Sequence, residues 1–343
     1  MYHPVKIGSL EIPGNIFLAP VAGYTDRAFR SICAENGACF AFTELVSAEA
    51  LYRNFGRYGL GGILADESNV SAANLVKRGE NEKLYAVQLF GAESESIYKA
   101  ACLLAPLKPD AIDINAGCPV PKVVKNGAGS ALMKNQVNLG KVVQAAVRAS
   151  REYLGGIPVT IKIRSGWDSS SINYMECARI AVEEGAVMVS LHPRTRAQNY
   201  GGKSNWTHIA DLAASLKIPV TGSGDLYTPQ DAYAMLKETG CAAVMFARGA
   251  MGNPFIFSAT RSFLETGGWD PSSFSARIKA AMRHLEMLSA DIGERTACLE
   301  MRKQFCAYTK GITGGAALRD KAVHAETIDE YRKIVLPYLH WNS

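Results

Sequence analysis

Short apolar runs alternate with amphipathic segments along the first three quarters of the chain. Each run has the length of a buried strand, and most are followed by apolar residues that recur at helical spacing. The predicted strands span residues 16–19, 40–43, 85–89, 111–115, 159–163, 187–191, 219–221 and 243–246. Eight strands alternating with helices over roughly 250 residues predict an α/β fold of the (β/α)₈ TIM-barrel type. A doubly wound open sheet is the alternative that the strand count leaves open.

Polar or turn-forming residues lie at the carboxyl end of every predicted strand, and their placement favours the barrel. In a TIM barrel these ends form one face, where catalytic groups collect. The residues at the eight ends are Pro20, Val21, Ala22, Glu44, Gln88, Asn115, Lys162, His192, Gly222, Ser223, Gly224, Asp225 and Arg248. The sequence therefore predicts one active-site face. A short hairpin over residues 5–12 precedes the strands and suits a plug at one end of the barrel.

From about Phe255 onward the pattern is purely helical. Helical spacing of apolar residues covers 274–292, 296–310 and 327–339. We therefore predict two domains: a catalytic barrel over residues 1–254 and a helical domain of three or four helices over residues 255–343.

The predicted helical domain carries a local excess of positive charge. Between Arg295 and Lys321 six residues are basic and two are acidic, and a glycine-rich break at 311–315 divides this run. Such a run is either an ordinary solvated face or a surface that contacts a phosphate backbone.

Composition narrows the function classes only a little. The chain of 343 residues has 37 Lys and Arg residues and 32 Asp and Glu residues, a formal net charge of +5 that allows an anionic partner without requiring one. None of its eight cysteines forms a CxxC pair, so we expect reduced thiols and no metal site. The amino terminus has no long apolar run, so we expect a soluble cytoplasmic protein without a membrane segment. The sequence indicates no obligate protein partner.

One thiol lies in a constrained position after the fourth predicted strand. Cys118 stands between Gly117 and Pro119, and the proline favours extended geometry at the cysteine. Lys122 and a glycine-rich turn at 126–129 follow. This arrangement predicts an active-site loop, although a free cysteine is also commonly just a small buried apolar residue.

Cations and glycines cluster after the later strands. Strand alternation sends Lys162 and Arg164 to one face, and His192 and Arg194 end the next strand in the same manner. The loops at 222–225 and 247–249 occupy the usual phosphate-binding position of TIM barrels. A phosphate there and cations over the barrel mouth fit flavin mononucleotide (FMN), a phosphorylated planar cofactor with an electron-rich ring.

Several segments resemble the tRNA-dihydrouridine synthases, most closely their bacterial B-type branch. The resemblance covers nearly the whole chain. Its motifs are APVAGYTD at 19–26, VQLFG at 87–91, DINAGCP at 113–119, residues 159–166, HPRTR at 192–196, residues 302–303 and YTKG at 308–311. The Asn-x-Gly-Cys-Pro loop around Cys118 is the most specific of them.

The resemblance implies an enzyme that uses FMN and NADPH to reduce a D-loop uridine of tRNA to 5,6-dihydrouridine. It implies that Cys118 is the acid that gives a proton to C5 after hydride transfer to C6. The FMN contacts that it implies are Pro20, Val21, Ala22, Gln88, Lys162, His192, Ser223, Gly224, Asp225, Ala247 and Arg248. The tRNA contacts that we expect are Asn115, Lys122, Arg164, Arg194, Arg302, Lys303 and Lys310.

Three positions depart from the usual pattern of this family. Ser223 stands where asparagine is usual, Ala247 where glycine is usual, and Pro193 where a glycine usually follows the histidine. Serine still donates a hydrogen bond and alanine adds only a methyl group, whereas proline removes one backbone N–H. We expect these changes to alter details of the phosphate and flavin contacts.

Other functions fit parts of the sequence. An FMN-dependent barrel dehydrogenase acting on a free small molecule, such as dihydroorotate or a dihydropyrimidine, would not need the helical domain or its basic residues. A barrel in which Lys162 forms a Schiff base, or a non-catalytic RNA-binding protein, would bind no flavin. Activity retained after removal of residues 255–343 would favour the first alternative, and the lack of flavin absorbance would favour the others.

Overall fold

Eight parallel strands close into a barrel in the computed structural model, which describes residues 1–53, 75–311 and 314–339. The strands are β1 (Val5–Ile7), β2 (Leu10–Ile12), β3 (Ile16–Leu18), β4 (Phe40–Phe42), β5 (Val46–Ser47), β6 (Tyr85–Phe90), β7 (Ala111–Ala116), β8 (Val159–Arg164), β9 (Val189–His192), β10 (Val220–Ser223) and β11 (Ala243–Phe246). β1 and β2 form an antiparallel hairpin, and β5 pairs with β6 beside the barrel. The other eight form a ring, because β4 pairs with β6 and β11 pairs with β3. The predicted TIM barrel is confirmed, and the open sheet is excluded.

The barrel interior is filled by alternate strand residues and by the hairpin. Phe17 of β3 packs inside the barrel, whereas its neighbours Ile16 and Leu18 pack in the layer between strands and helices. Val5 and Ile12 of the hairpin belong to the interior cluster. The hairpin therefore covers one end of the barrel, as its position in the sequence predicts.

The predicted strand bounds are confirmed to within two residues. One correction concerns β10, which runs on to Ser223, although the sequence predicts a loop from Gly222. Gly222 pairs in register with Val244, and a Cβ at this glycine would lie 2.5 Å from Met235 Sδ. The glycine thus permits close packing within a strand and does not form a turn.

Eight helices accompany the barrel strands in the described part of the chain. They are α1 (Arg27–Glu35), α2 (Ser94–Leu103), α3 (Pro121–Val124), α4 (Gln136–Tyr153), α5 (Tyr174–Glu183), α6 (Thr207–Ser215), α7 (Pro229–Thr239) and α8 (Ile256–Thr266). Short 3₁₀ segments span Ala105–Leu107 and Gly129–Lys134. Asp26 caps α1 by accepting the Phe29 N–H at 2.8 Å, and a capping box of Thr228 and Asp231 begins α7.

Four further helices follow the barrel within residues 267–311 and 314–339. They are α9 (Phe274–Ile292), α10 (Glu294–Tyr308), α11 (Gly315–Ala322) and α12 (Ile328–Val335), with a final 3₁₀ turn at Leu336–Tyr338. α11 is not predicted by the sequence pattern, and α12 ends before Pro337 instead of continuing to 339. Residues 312 and 313 of the predicted glycine break lie outside the described residues.

Helix α8 packs with the barrel, although the predicted boundary at 254/255 assigns it to the helical domain. It contacts α7 and β3, the neighbours expected of the last helix of a (β/α)₈ ring. The division into two domains stays a prediction, and this packing favours a boundary after α8.

The carboxyl-terminal helices contact the loop that follows β3. His284 of α9 pairs with Asp26, its Nε2 lying 3.1 Å from both carboxylate oxygens, and its ring stacks on Phe29. Gln304 of α10 donates to the carbonyl oxygen of Tyr24 at 3.2 Å. These contacts fix the helical part of the molecule beside the carboxyl-end face of the barrel.

Candidate functional site

A cavity of about 450 Å³ opens at the carboxyl ends of the barrel strands. Its walls come from the loops after β3, β7, β8, β9, β10 and β11 and from Leu45 after β4. The predicted site residues that line it are Pro20, Val21, Ala22, Asn115, Cys118, Lys162, Arg164, His192, Ser223, Gly224, Asp225, Ala247 and Arg248. The rule that barrel sites form at strand carboxyl ends thus brings together residues more than 200 positions apart in sequence.

The loop after β10 is held in a left-handed conformation by its acidic side chain. Gly224 and Asp225 have φ values of 106° and 58°, and positive φ is unusual for a residue other than glycine. The Asp225 carboxylate accepts hydrogen bonds from Arg194 at 2.8 Å, from Arg248 at 3.1 Å and from the Ser204 N–H at 2.8 Å. These partners outweigh burial and keep the pKa of Asp225 below its ordinary value.

The same loop and the loop after β11 present donors suited to an anion. None of the hydrogen bonds among the described residues uses the backbone N–H groups of Gly224, Asp225 or Arg248. The Arg248 guanidinium is about one third exposed and lies over the rings of Tyr200 and Tyr227, at 5.3 and 5.4 Å from their centroids. Free N–H groups and one accessible guanidinium are the donors that a phosphate monoester needs.

A half-buried cation, Lys162, and a buried carboxyl group, Asp113, lie deeper in the site. Burial and the nearby Arg164 lower the pKa of Lys162 to about 8. Burial raises the pKa of Asp113 to about 6, in spite of hydrogen bonds from Gln88 and Thr160. Lys162 and Asp113 each favour the charged form of the other, and Lys162 keeps its charge through neutral pH.

His192 is a neutral imidazole with a defined tautomer. Burial and the cations around it, Arg164 and Lys162 foremost, lower its pKa well below the ordinary value. Its Nε2 lies 3.3 Å from a guanidinium nitrogen of Arg194. Because a guanidinium can only donate, Nε2 is the acceptor and the ring proton is on Nδ1. His192 therefore contributes a hydrogen-bond donor to the site.

A chain of side-chain hydrogen bonds supports the cysteine loop from below. Asp113 accepts from Thr160 Oγ1 at 2.5 Å and from Gln88 Nε2 at 2.6 Å. Gln88 Oε1 accepts from Asn115 Nδ2 at 2.8 Å, and Asn115 Oδ1 accepts from the Cys118 N–H at 2.9 Å. All five residues are buried, so the chain fixes the start of the loop.

Cys118 lies at the boundary between the cavity and a small apolar cluster. It lines the cavity, and it also packs with Val123 and Ala128 of the segment that follows. Burial raises the pKa of its thiol more than Arg164 and Lys162 lower it, so the thiol stays protonated at neutral pH. The group can therefore act as an acid toward a molecule in the cavity.

The guanidinium groups of Arg164 and Arg194 hold loops in place, and neither offers both of its terminal nitrogens to a ligand in the cavity. Arg164 is 3% exposed and donates to the carbonyl oxygens of Gly117, Thr195 and Asn199 at 2.8 to 3.0 Å. Arg194 is 2% exposed, and its donors reach Asp225, Ser204 and two glycine carbonyls in the loop after β9. All three nitrogens of Arg194 and two of the three of Arg164, Nε and Nη1, donate hydrogen bonds, so both guanidinium groups position the loops that they contact.

The other predicted contacts fall outside the cavity lining. Gln88 lies fully buried beneath the lining residues, and Lys122 is exposed on α3. Lys303 and Lys310 are exposed on and just after α10, and Arg302 is half-buried with its Nε unpaired among the described residues. Lys303 reaches the barrel, since a Cβ on Gly23 would lie 3.0 Å from its Nζ.

The sequence did not single out two aromatic residues at the cavity mouth. Tyr200 and Tyr227 are 54% and 46% exposed and flank Arg248. Tyr200 lies between Asn199, which has a φ of 52°, and two glycines, and this flexible composition around an exposed aromatic is the signal that could have identified it.

The described residues, 1–53, 75–311 and 314–339, contain no group of three or more side chains placed to hold a metal ion. Within the same ranges every helix is too short or too polar to cross a lipid bilayer.

Comparisons with known proteins place the chain in one family. The family model described as "Dihydrouridine synthase (Dus)" matches residues 17–339. A "Probable tRNA-dihydrouridine synthase" of Treponema pallidum is 45% identical over 340 residues, 98% of this chain and 96% of the relative. "tRNA-dihydrouridine synthase B" of Xanthomonas axonopodis pv. citri is 34% identical over 97% of this chain and 95% of the relative.

Solved structures of low sequence identity share the fold. The old yellow enzyme homologue from Zymomonas mobilis aligns with a TM-score of 0.53 at 13% identity, over 80% of this chain and 95% of that chain. A 2-naphthoyl-CoA reductase aligns with a TM-score of 0.56 at 12% identity, over 76% of this chain and 51% of that chain. The match over residues 17–339 and the close relatives together show that the chain belongs to the dihydrouridine synthase family, a family of flavin-dependent oxidoreductases.

Proposed function

We propose that this enzyme reduces a uridine in the D-loop of tRNA to 5,6-dihydrouridine, with FMN as cofactor and NADPH as electron donor. The observation that carries the proposal is that a protonated thiol, Cys118, lines the same cavity as a set of backbone N–H donors around Arg248 that form no hydrogen bond with the described residues. The protonated thiol suits a reaction that ends in proton transfer to carbon, and the N–H donors suit a phosphorylated cofactor. The names of the relatives support the same activity.

FMN fits the donor set of the cavity. The N–H groups of Gly224, Asp225 and Arg248 and the Arg248 guanidinium would hold its phosphate. The ring system would take the apolar part of the cavity near Val21, with Lys162 and His192 as polar partners; Pro20, Ala22, Ser223 and Ala247 complete the expected contacts. Gln88 would act through Asn115 and Asp113, because it is buried beneath the cavity lining. When bound and supplied with electrons by NADPH, FMN contributes the hydride that C6 of the uracil receives.

Cys118 supplies the proton at C5. Hydride addition to C6 leaves negative charge at C5 and the adjacent carbonyl, and a protonated thiol close to C5 discharges it. The raised pKa of Cys118 keeps the proton available at neutral pH. Asn115 and Arg164 hold the two ends of the peptide group that joins Gly117 to Cys118, at Cys118 N–H and Gly117 C=O, and so determine where the sulfur lies. They are positioning residues in this proposal.

Lys162 supplies the positive charge of the site. Lys162 is half-buried in the cavity lining and its ammonium group is charged at neutral pH, where it favours negative charge on a ligand in the cavity. His192 keeps its proton on Nδ1 and donates from there, which makes it a hydrogen-bond donor that adds no further charge.

The RNA substrate would be held outside the cavity by exposed cations. A stacked or paired uridine cannot enter the cavity, so it must be turned out of the tRNA fold at a cost of about a few kcal/mol. Lys122 on the barrel rim and Lys303 and Lys310 on the helical side are exposed and suited to backbone phosphates. Arg302 is half-buried beside them. A tRNA substrate implies that the enzyme works in the cytoplasm, and the helices that follow α8, within the predicted range 255–343, would form the tRNA-recognition domain.

The test is formation of dihydrouridine by the purified enzyme. FMN-loaded protein, NADPH and tRNA transcribed without modifications should yield tRNA whose digest contains a uridine two hydrogens heavier. Free uridine and dihydroorotate serve as competing substrates. A loaded enzyme that turns over either free compound and leaves the tRNA unchanged would refute the proposal.

A further inference from the structure

Two cations and an indole ring form a cluster on the rim of the barrel, outside the cavity lining. Lys134 Nζ and the Arg196 guanidinium lie 4.6 and 4.8 Å from the centroid of the Trp167 ring. We call these three residues the Trp167 cluster. Its two charges lie on one ring and within about 10 Å of each other, roughly one Debye length at 0.1 M salt, so they repel each other.

No acidic side chain among the described residues neutralises these cations. Neither Lys134 nor Arg196 takes part in an ion pair, and Arg196 Nε is buried without a hydrogen-bond partner in the same ranges. Asp168 follows the tryptophan, but its carboxylate accepts from Ser170 and Ser171 in its own loop. The cluster therefore retains two positive charges and an unused donor, an arrangement that an anionic ligand would stabilise.

Each member of the cluster extends from a segment that supports the cysteine loop. Lys134 ends the 3₁₀ segment in which Ser130 donates to the Cys118 carbonyl oxygen at 2.9 Å. Trp167 follows β8, whose Arg164 donates to the carbonyl oxygen preceding Cys118.

The two loops that carry Trp167 and Arg196 are joined to each other. The Arg196 N–H donates to the carbonyl oxygen of Gly166, and the Ala197 N–H donates to that of Trp167, both at 2.9 Å. Arg164 also donates to the Thr195 carbonyl oxygen at 3.0 Å. The same network of hydrogen bonds therefore holds both the Trp167 cluster and the loop that carries the Cys118 thiol.

We propose that the Trp167 cluster binds a backbone phosphate of the tRNA next to the uridine that enters the cavity. This inference rests on the proposed function and adds to it a specific binding site for the RNA backbone. The indole ring holds both cations in place, so little side-chain entropy is lost when they meet a phosphate. Binding there brings the RNA backbone to the rim beside Cys118 and so presents the neighbouring base to the thiol.

The surroundings of the cluster favour a polyanion over a single phosphorylated nucleotide. Lys122 and Lys125 are exposed on the loop after β7, and Lys203 is exposed on the loop after β9. Positive charge therefore continues along the rim on both sides of the cluster. The successive phosphates of a nucleic acid backbone can contact several cations of this row at once. A phosphate of a dinucleotide such as NADPH would contact the row at only one place.

The double variant Lys134→Gln/Arg196→Gln tests the proposal in the FMN-loaded full-length enzyme. We expect the Kd for unmodified tRNA to rise about tenfold or more at low salt, and the slope of log Kd against log salt to fall by about one. Flavin content and the KM for NADPH should stay at wild-type values. Trp167→Leu should weaken tRNA binding in the same direction, because it releases both cations.

Arg148→Gln is the matched control, because Arg148 lies 4.0 Å from the Tyr98 ring on the outer helices and forms a similar pair away from the rim. It should leave the Kd unchanged. Wild-type Kd and salt slope in the double variant would overturn the proposal, as would a defect confined to the KM for NADPH. Failure of the wild-type enzyme to modify tRNA is a separate result, which would refute the proposed function itself.

Discussion

Asn115 Oδ1 accepts the backbone N–H of Cys118 at 2.9 Å, and Asn115 Nδ2 donates to Gln88 behind it at 2.8 Å. The Asn115 side chain thus connects the backbone of Cys118, the candidate acid, to the buried side chain of Gln88. Because the loop after β7 leaves the sheet at this point, the side chain at 115 determines where the thiol lies in the cavity. Placement of the thiol, more than its acidity, distinguishes Cys118 from the other cysteines.

Asn115→Ala should impair catalysis without removing the cofactor. The substitution frees the Cys118 N–H, and a displacement of about 1 Å at a reacting group can cost about 100-fold in rate. The rate of dihydrouridine formation at saturating tRNA should fall by that order, with wild-type flavin absorbance. Asn36→Ala, at the end of α1, is the control and should keep full activity. An unchanged rate in Asn115→Ala would show that the amide does not position the thiol.

Arg248→Gln should weaken FMN binding through the phosphate. A hydrogen bond to a charged group is worth about 1.5–3 kcal/mol, so we expect the Kd of FMN to rise about 10- to 100-fold. Riboflavin lacks the phosphate, and its affinity should be the same in variant and wild type. Titration of the flavin-free protein with both compounds gives the comparison. Equal losses for FMN and riboflavin would place the phosphate elsewhere.

Lys162→Met should make the bound flavin harder to reduce, and the effect should depend on pH. The pKa of Lys162 lies at about 8, lowered by burial and by Arg164, so the ammonium is charged below that pH and neutral above it. We expect the midpoint potential of the variant to lie at least about 30 mV below wild type, a tenfold change in equilibrium constant, at about pH 6.5. The difference should shrink at about pH 9.5.

Spectroelectrochemical titration of bound FMN measures this difference. Lys237→Met, on the outer surface of α7, is the control and should match wild type at both pH values. A difference that is the same at both pH values would mean that Lys162 acts through packing and not through charge.

Asp26→Ala should loosen the contact between the barrel and the carboxyl-terminal helices. Burial alone would raise the pKa of Asp26, but the His284 ring and the Phe29 N–H outweigh it and hold the pKa below 3.8. A depressed carboxyl pKa stabilises the fold above the unfolded value and loses that contribution as pH falls through the folded value. We expect the variant to lose about 2 kcal/mol of unfolding free energy at pH 7.

Urea titrations at pH 7 and at about pH 3 measure the effect, which should be smaller at the lower pH because about pH 3 lies below the ordinary pKa of an aspartate, where this contribution to stability begins to be lost. Asp231→Ala removes a cap on α7 away from this contact and should cost less, about 1 kcal/mol. An Asp26→Ala loss no larger than that of the control would show that the pair with His284 contributes little.

The fold followed from sequence because buried parallel strands are continuous apolar runs, and the segments between them have a clear helical period. The rule that the carboxyl ends of the barrel strands share one face also predicted many of the residues that line the cavity. Lys162, His192 and Arg248 were predicted to lie together because strand carboxyl ends share one face, and all three line the cavity. No knowledge of side-chain contacts was needed for that step.

Side-chain roles were harder to predict because they depend on partners distant in sequence. Arg194 was predicted to end a strand as His192 does, yet β9 ends at His192 and the Arg194 guanidinium donates to Asp225, 31 positions away. Lys303 is exposed and Arg302 is half-buried, although they are neighbours on one helix. Tyr227 gave no periodic or motif signal, because its place beside Arg248 arises only when β10 and β11 pair.

Single-turnover reduction of unmodified tRNA by FMN-loaded Cys118→Ala tests the central claim most directly. General acid catalysis contributes about 10²- to 10⁴-fold, so the variant should form dihydrouridine at least about 100-fold more slowly than wild type while binding FMN and tRNA normally. Cys102→Ala, on α2 outside the barrel, should react at the wild-type rate. Dihydrouridine formation by Cys118→Ala at a rate close to wild type would contradict the assignment of Cys118 as the proton donor.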